Sequence, residues 1–199
     1  MSANQEPFEL NFYKWEKEFK DKPYLKQPIG EEWEEYTWGQ VGDMARRLAS
    51  GLKSLNLREG AHIGIYSKNC REWIISDLAI VMAGYVSVPF FPSLNGKELA
   101  YIMDYGDVDA LFLGKIETWD DIKNDLPKDM PMITFPNYAG CSKVDIGHKW
   151  HEFIDKHEPI TNPHNPKLSD LWTIIFTSGT TGNPKGVMLT YQAIDGIKV

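Results

Sequence analysis

Residues 173–190, TIIFTSGTTGNPKGVMLT, set Gly179, Gly182 and Gly186 among Thr177, Ser178, Thr180 and Thr181, and place Lys185 directly behind Pro184. Glycine backbones reach positive φ and bring their N–H groups close to a ligand that a Cβ would hold off. The hydroxyls add donors, and the lysine adds a mobile positive charge. That combination is the chemistry of a phosphate cradle. A plain Gly/Thr-rich turn between two strands is the alternative, but such a turn requires neither a run of hydroxyls nor a lysine. The stretch also differs from the P-loop of nucleotide triphosphatases, in which Gly-Lys-Ser/Thr opens directly into a helix. Here Pro184 precedes Lys185, and the following KGVMLT is apolar and partly β-branched, as a returning strand would be. The expected geometry is a cradle at the tip of a hairpin-like turn, with Asn183 and Pro184 in the bend.

Such a loop needs a rigid frame, and the periodicity upstream describes one. Thr37 and Gln40 form a T-x-x-Q capping box, after which Val41, Met44, Ala45, Leu48, Ala49 and Leu52 recur at helical spacing. The pattern then alternates: strand HIGIYS, a helix from Arg71 to Ala83, strand VSVPFF, a helix from Lys97 to Tyr105, strand DALFLG, and a helix from Thr118 to Asn124. A strand at PMITFP, a helix across HKWHEFI and the strand TIIFTS follow. Asn69 with Glu72 reads as a second capping box, and Asn95 as an N-cap. Strands alternating with helices predict an α/β fold, a mostly parallel sheet with helices on both faces. Before it, YLKQPIGEEWEEYT predicts two short strands around a turn at Ile29 and Gly30. Phe8, Phe12, Trp15 and Phe19 predict an N-terminal helix docking on its own domain, so that residues 1–21 form a helical extension. Pro159, Pro163 and Pro166 mark 158–168 as an exposed connection, and TYQAIDGIKV opens a last helix behind Thr190.

Composition narrows the partners. The 21 basic residues against 28 acidic ones give a net charge of -7 with no basic block, which excludes a general nucleic-acid footprint. No basic, then apolar leader opens the chain, and Cys70 and Cys141 are too few for a disulfide framework, so a cytoplasmic protein with reduced thiols is expected. The apolar run 73–91 is broken by Asp77, Gly84, Ser87 and Pro89, and it divides into a buried helix and strand rather than a transmembrane span.

FTSGTTGNPKGV resembles the signature loop of the adenylate-forming superfamily, which includes acyl-CoA synthetases, aryl-CoA ligases, firefly-type luciferases and peptide-synthetase adenylation domains. The resemblance extends through SKNCREWIISDLAIVMAGYVSVPFFPSLNGKELAYIMDY, covers the chain from about residue 24 onward, and is nearest the long-chain fatty-acid:CoA ligase branch. Tyr191 and Ala193 depart from the family pattern, which usually has histidine and asparagine there. The resemblance implies that residues 1–199 are the N-terminal portion of the large domain of such an enzyme. It implies a two-step reaction: a carboxylate attacks the α-phosphate of ATP and expels pyrophosphate, then a thiol, usually of CoA, takes the acyl group. It further implies that Thr177, Ser178, Gly179, Thr180, Thr181, Gly182 and Lys185 hold the pyrophosphate portion, with Mg²⁺ bridging its oxygens. None of these is a nucleophile or general base, so no catalytic residue and no metal ligand is assigned within the chain. The adenine pocket, acyl tunnel and catalytic lysine of the family come from sequence beyond this loop, and the chain alone is expected to be inactive. Peripheral membrane contact and self-association through an uncovered sheet face stay open. So do an adenylating enzyme with another acceptor, such as a carrier protein, an aryl-acid ligase, and a short non-catalytic module that binds phosphate or a partner.

Two weaker patterns remain. His148 and His151, with Glu152 and Asp155, have the spacing of metal ligands on one helix face, but also that of a solvated amphipathic helix burying Trp150, Phe153 and Ile154, the commoner arrangement. Glu31, Glu32, Glu34 and Glu35 suggest either paired carboxylates or, more simply, a solvated strand edge that resists aggregation.

Overall fold

The computed structural model describes residues 8–177 and 184–195. Helix α1 (Phe8–Glu18) lays Phe12 onto Trp38 and Tyr24, whose own rings stack at 3.8 Å. Strands β1 (Pro23–Ile29) and β2 (Glu32–Thr37) pair antiparallel about Gly30, whose φ of 64° is one that glycine adopts without a Cβ penalty. Helix α2 (Trp38–Ser54) opens with the full Thr37–Gln40 capping box, and its stripe from Val41 to Leu52 is buried. The alternation then runs β3 (His62–Tyr66), α3 (Arg71–Met82), β4 (Val86–Phe90), α4 (Gly96–Tyr105), β5 (Val108–Leu113), α5 (Trp119–Ile122) and β6 (Met132–Thr134). It ends with β7 (His148–Lys149), α6 (Trp150–Asp155), β8 (Leu171–Thr177), β9 (Lys185–Thr190) and α7 (Tyr191–Asp195).

Among the described residues the main sheet has the order β7-β6-β5-β3-β4-β8-β9. All neighbours are parallel except β8 and β9. Period-two alternation sorts its side chains into two cores. Ile63, Ile65, Ala110, Phe112 and Ile133 meet Leu48, Leu52, Ile75, Ile80, Trp150 and Phe153 on the face carrying α1, α2, α3 and α6. Val88, Phe90, Leu111, Leu113, Ile174 and Phe176 meet Leu99, Ile102, Met103, Trp119 and Ile122 on the face carrying α4 and α5. Burying each large side chain contributes about 1.5 to 3 kcal/mol, so the frame is anchored from both sides. The doubly covered parallel sheet expected from the sequence is the architecture found.

Helix α3 departs from the sequence reading. Its N-cap is Cys70, not Asn69, and no side chain caps it. The Glu72 carboxylate turns away from the helix start to accept from Arg71 Nε at 3.0 Å and from the Tyr138 hydroxyl. A guanidinium and a phenol in a buried setting outcompete a backbone N–H for that carboxylate. The helix ends on Gly84, whose φ of 72° lets Gly84 N–H reach Val81 O and Tyr85 N–H reach Ile80 O. Two other segments differ in extent. α5 is a single turn shorter than the expected span, and His148 and Lys149 pair with Ile133 and Thr134 as a short strand instead of opening the helix.

Candidate functional site

β8 is parallel to β4, so its end at Thr177 lies on the sheet edge where the parallel strands finish. β9 returns antiparallel, and the register pairs Thr177 with Lys185 at the open end of the two strands. The Thr177 hydroxyl faces Lys185 O at 3.5 Å, and both side chains are exposed. Lys185 makes no ion pair within the described residues. The other residues of the expected cradle, Ser178, Gly179, Thr180, Thr181 and Gly182, lie outside the described residues, as does Asn183. Gly186 has a different task from the one its sequence suggested. It lies in β9, without positive φ, opposite Phe176, where a Cβ would come within 3.1 Å of Ile174 and 3.2 Å of the Phe176 ring.

The base of this pair is held by aromatic packing. Phe176 stacks on Phe90 of β4 at 6.5 Å and meets Tyr105 of α4 edge-on at 6.2 Å. Three residues earlier, on the other face, Thr173 Oγ1 donates to Ser87 O at 2.8 Å. Behind the pair, Tyr191 is buried beside Trp172, and its N–H donates to Asp170 O.

Sequence reading missed two polar groups inside the frame. Arg71 (8% exposed) and Glu72 (1%) form an ion pair that Tyr138 and Glu34 extend, with Arg71 Nη1 2.6 Å from Glu34 and its guanidinium 4.2 Å from the Tyr36 ring. Glu34 therefore pins the β1–β2 hairpin to α3, whereas Glu35 holds only Lys26 at the surface. The adjacent charged pair in CREW, opening a mostly apolar helix, was the available signal. The second group is Asp77 on α3, whose carboxyl is pushed up to about 6 by burial, against the lowering effect of Ser87. Burial likewise pushes the Cys70 thiol up to about 11, which leaves it protonated and unreactive at neutral pH. Among the described residues no three His, Cys, Asp or Glu side chains converge as metal ligands; His148 packs its ring on Phe153 at 5.0 Å.

The sequence pattern of a family described as AMP-binding enzyme matches residues 12–195. The chain belongs to that family. Similar proteins include long chain acyl-CoA synthetase 5 of Arabidopsis thaliana, 31% identical over 173 residues, which span 79% of this chain and 25% of that protein. Long-chain-fatty-acid–CoA ligase 1 of Cavia porcellus is 29% identical over 87% of this chain and 26% of its own length. Among solved structures, the anthranilate CoA ligase AuaEII in complex with anthranoyl-AMP matches with a TM-score of 0.78 at 20% identity, over 96% of this chain and 36% of that one. The N-terminal subdomain of Klebsiella oxytoca NpsA matches with a TM-score of 0.73 at 19% identity, over 99% of this chain and 46% of that one. The chain thus has the fold of adenylate-forming enzymes and spans about a quarter of the length of the curated relatives it matches.

Proposed function

We propose that these residues are the N-terminal α/β portion of an ATP-dependent fatty-acid:CoA ligase and that the β8–β9 turn holds the phosphates of ATP. The observation that carries this reading is the placement of Lys185 opposite Thr177, exposed and without a carboxylate partner among the described residues, at the edge where the parallel strands end. A cation and hydroxyl donors at that edge suit the charge that develops as a carboxylate attacks the α-phosphate and pyrophosphate departs. Thr177, Ser178, Gly179, Thr180, Thr181, Gly182 and Lys185 are the proposed donors, with Mg²⁺ as bridging ion and CoA as thiol acceptor. Residues 1–21 act as a docked extension and 158–168 as a connection, in a cytoplasmic protein. The named relatives that are long-chain acyl-CoA synthetases support the fatty-acid branch. An aryl-acid substrate is the second reading, favoured by the fold match to an anthranilate CoA ligase.

Residues 1–199 alone are proposed to be inactive, since a phosphate loop fixes neither the adenine nor the carboxylate and positioning supplies much of the acceleration. The experiment is ATP–pyrophosphate exchange by the complete protein with fatty acids of graded chain length and with benzoate and anthranilate, followed by CoA thioester formation. Exchange stimulated by long-chain acids and completed by CoA is expected. Exchange with aryl acids alone would transfer the proposal to the second reading, and none with any acid would overturn both.

A further inference from the structure

Away from the β8–β9 turn, a cleft of about 280 Å³ opens between the segments that follow β5 and β6 and the start of α6, and its lining includes Lys115, Lys143, Lys149 and His151 together with Phe135 and Trp150. Because β5, β6 and β7 are parallel, these segments gather on the sheet edge at which parallel α/β sheets take ligands. The walls are tied together. Ser142 N–H donates to Ile116 O at 2.7 Å, Lys149 Nζ to Val144 O at 3.0 Å, and Lys115 Nζ to Asn69 O at 2.7 Å. A Cβ on Gly114 would stand 2.4 Å from the Phe135 side chain, so the two segments meet as closely as backbone allows. Lys115 is held at a φ of 47°, a left-handed conformation that disfavours any residue with a Cβ.

The Lys115 ammonium stands 4.9 Å from the Tyr138 ring centroid, but no carboxylate pairs with the lysines of this cleft among the described residues. Lys26, Lys68 and Lys123 each have a carboxylate partner, whereas Lys115, Lys143 and Lys149 make no ion pair among the described residues. Glu152 is the single carboxylate in the lining. Three lysines and His151 line this one cleft in a chain whose net charge is -7. We propose that the cleft is a binding site for a small phosphate-bearing anion of the size of pyrophosphate. Its volume falls just below the roughly 300 to 1,000 Å³ of pockets for larger organic ligands, and compact ammonium groups suit oligophosphate oxygens. The site is separate from the β8–β9 turn: from β6 to β8 the sheet takes four strand steps, about 19 Å at roughly 4.8 Å each.

Lysine reactivity tests this on the complete protein. Trace acetylation with acetic anhydride is quantified by mass spectrometry for Lys143 and for exposed Lys128, with sodium pyrophosphate or with sodium chloride at equal ionic strength. At a pyrophosphate concentration about twice its Kd, mass action leaves a third of sites free, so Lys143 is expected to react about threefold more slowly while Lys128 is unchanged. In Lys149→Ala, protection of Lys143 is expected to require several-fold more pyrophosphate; in Lys185→Ala it is expected to persist unaltered. Equal slowing of Lys143 and Lys128, or no slowing of either, would overturn the proposal. So would loss of Lys143 protection in Lys185→Ala, because the effect would then come from the other turn. The wild-type footprint decides the matter even where the Lys149 variant does not fold.

Discussion

Lys185 sits at the end of a strand whose neighbours are fixed by packing, so removing its ammonium changes charge at the turn and little else. If the turn takes the phosphates as proposed, Lys185→Ala in the complete protein is expected to lower adenylate formation by about 2.7 to 4 kcal/mol of transition-state stabilisation while carboxylate affinity holds, because the charge it would face grows as pyrophosphate leaves. Pyrophosphate exchange at the wild-type rate would remove this role. Asp77 makes a different kind of prediction. Its folded-state pKa of about 6 stands above the ordinary aspartate value of 3.8, so the native state binds the extra proton between those values. Stability from this group is therefore present below about pH 4, is lost as pH rises through about 6, and is absent above it. Asp77→Asn keeps the shape and removes the charge. Thermal unfolding is expected to show the variant more stable than wild type by roughly 1 to 3 kcal/mol at pH 7.5 and equal to it near pH 4. A pH-independent difference would mean that the carboxylate is not what the site resists.

At the scale of the element, what was legible in the sequence was local. The box at Thr37–Gln40 closes within three residues as the spacing predicts, and Asn95, read only as an N-cap, also closes a box with Glu98. Asn95→Ala is accordingly expected to cost about 1 kcal/mol, measured as a lowered denaturation midpoint at constant slope. The Asn69–Glu72 reading failed because the partner that decides Glu72, Tyr138, comes from 66 residues away and has no signature beside it in the chain. The two-residue β7 was invisible for the same reason: only β6 alongside makes His148 and Lys149 a strand. The returning strand after the glycine-rich turn was readable from its β-branched and apolar residues, yet the role of Gly186 was not, since the Phe176 ring that crowds it lies across the pair. The cluster missed at Arg71 and Glu72 carries its own test. Glu72→Ala would leave a buried guanidinium with only the half-exposed Glu34, and is expected to destabilise the fold by about 3 kcal/mol, with loosening of the β1–β2 hairpin in hydrogen exchange. Unchanged hairpin exchange would show that Glu34 does not depend on α3.

At the scale of the whole molecule, the two sheet flanks are finished differently. The flank at β7 is a two-residue strand that runs straight into α6, whereas β9 ends the strand order among the described residues with Val187 and Met188 (66% exposed) in the open. Tyr101 and Tyr105 of α4 stack on one another, and Tyr105 (61% exposed) meets Phe176 of the neighbouring β8 edge-on. An exposed strand edge next to an apolar patch pairs readily with another chain. Since the chain spans about a quarter of its relatives' length, the polypeptide of residues 1–199 produced by itself is expected to self-associate through this flank. Light scattering on purified samples at increasing concentration should show mass growing beyond the 22.8 kDa of one chain. Met188→Lys places a charge on the edge without touching either core, and it is expected to return the chain to monomer with its circular dichroism unaltered. A monomer at all concentrations in the unmodified chain, or association undiminished by Met188→Lys, would place the sticky surface elsewhere.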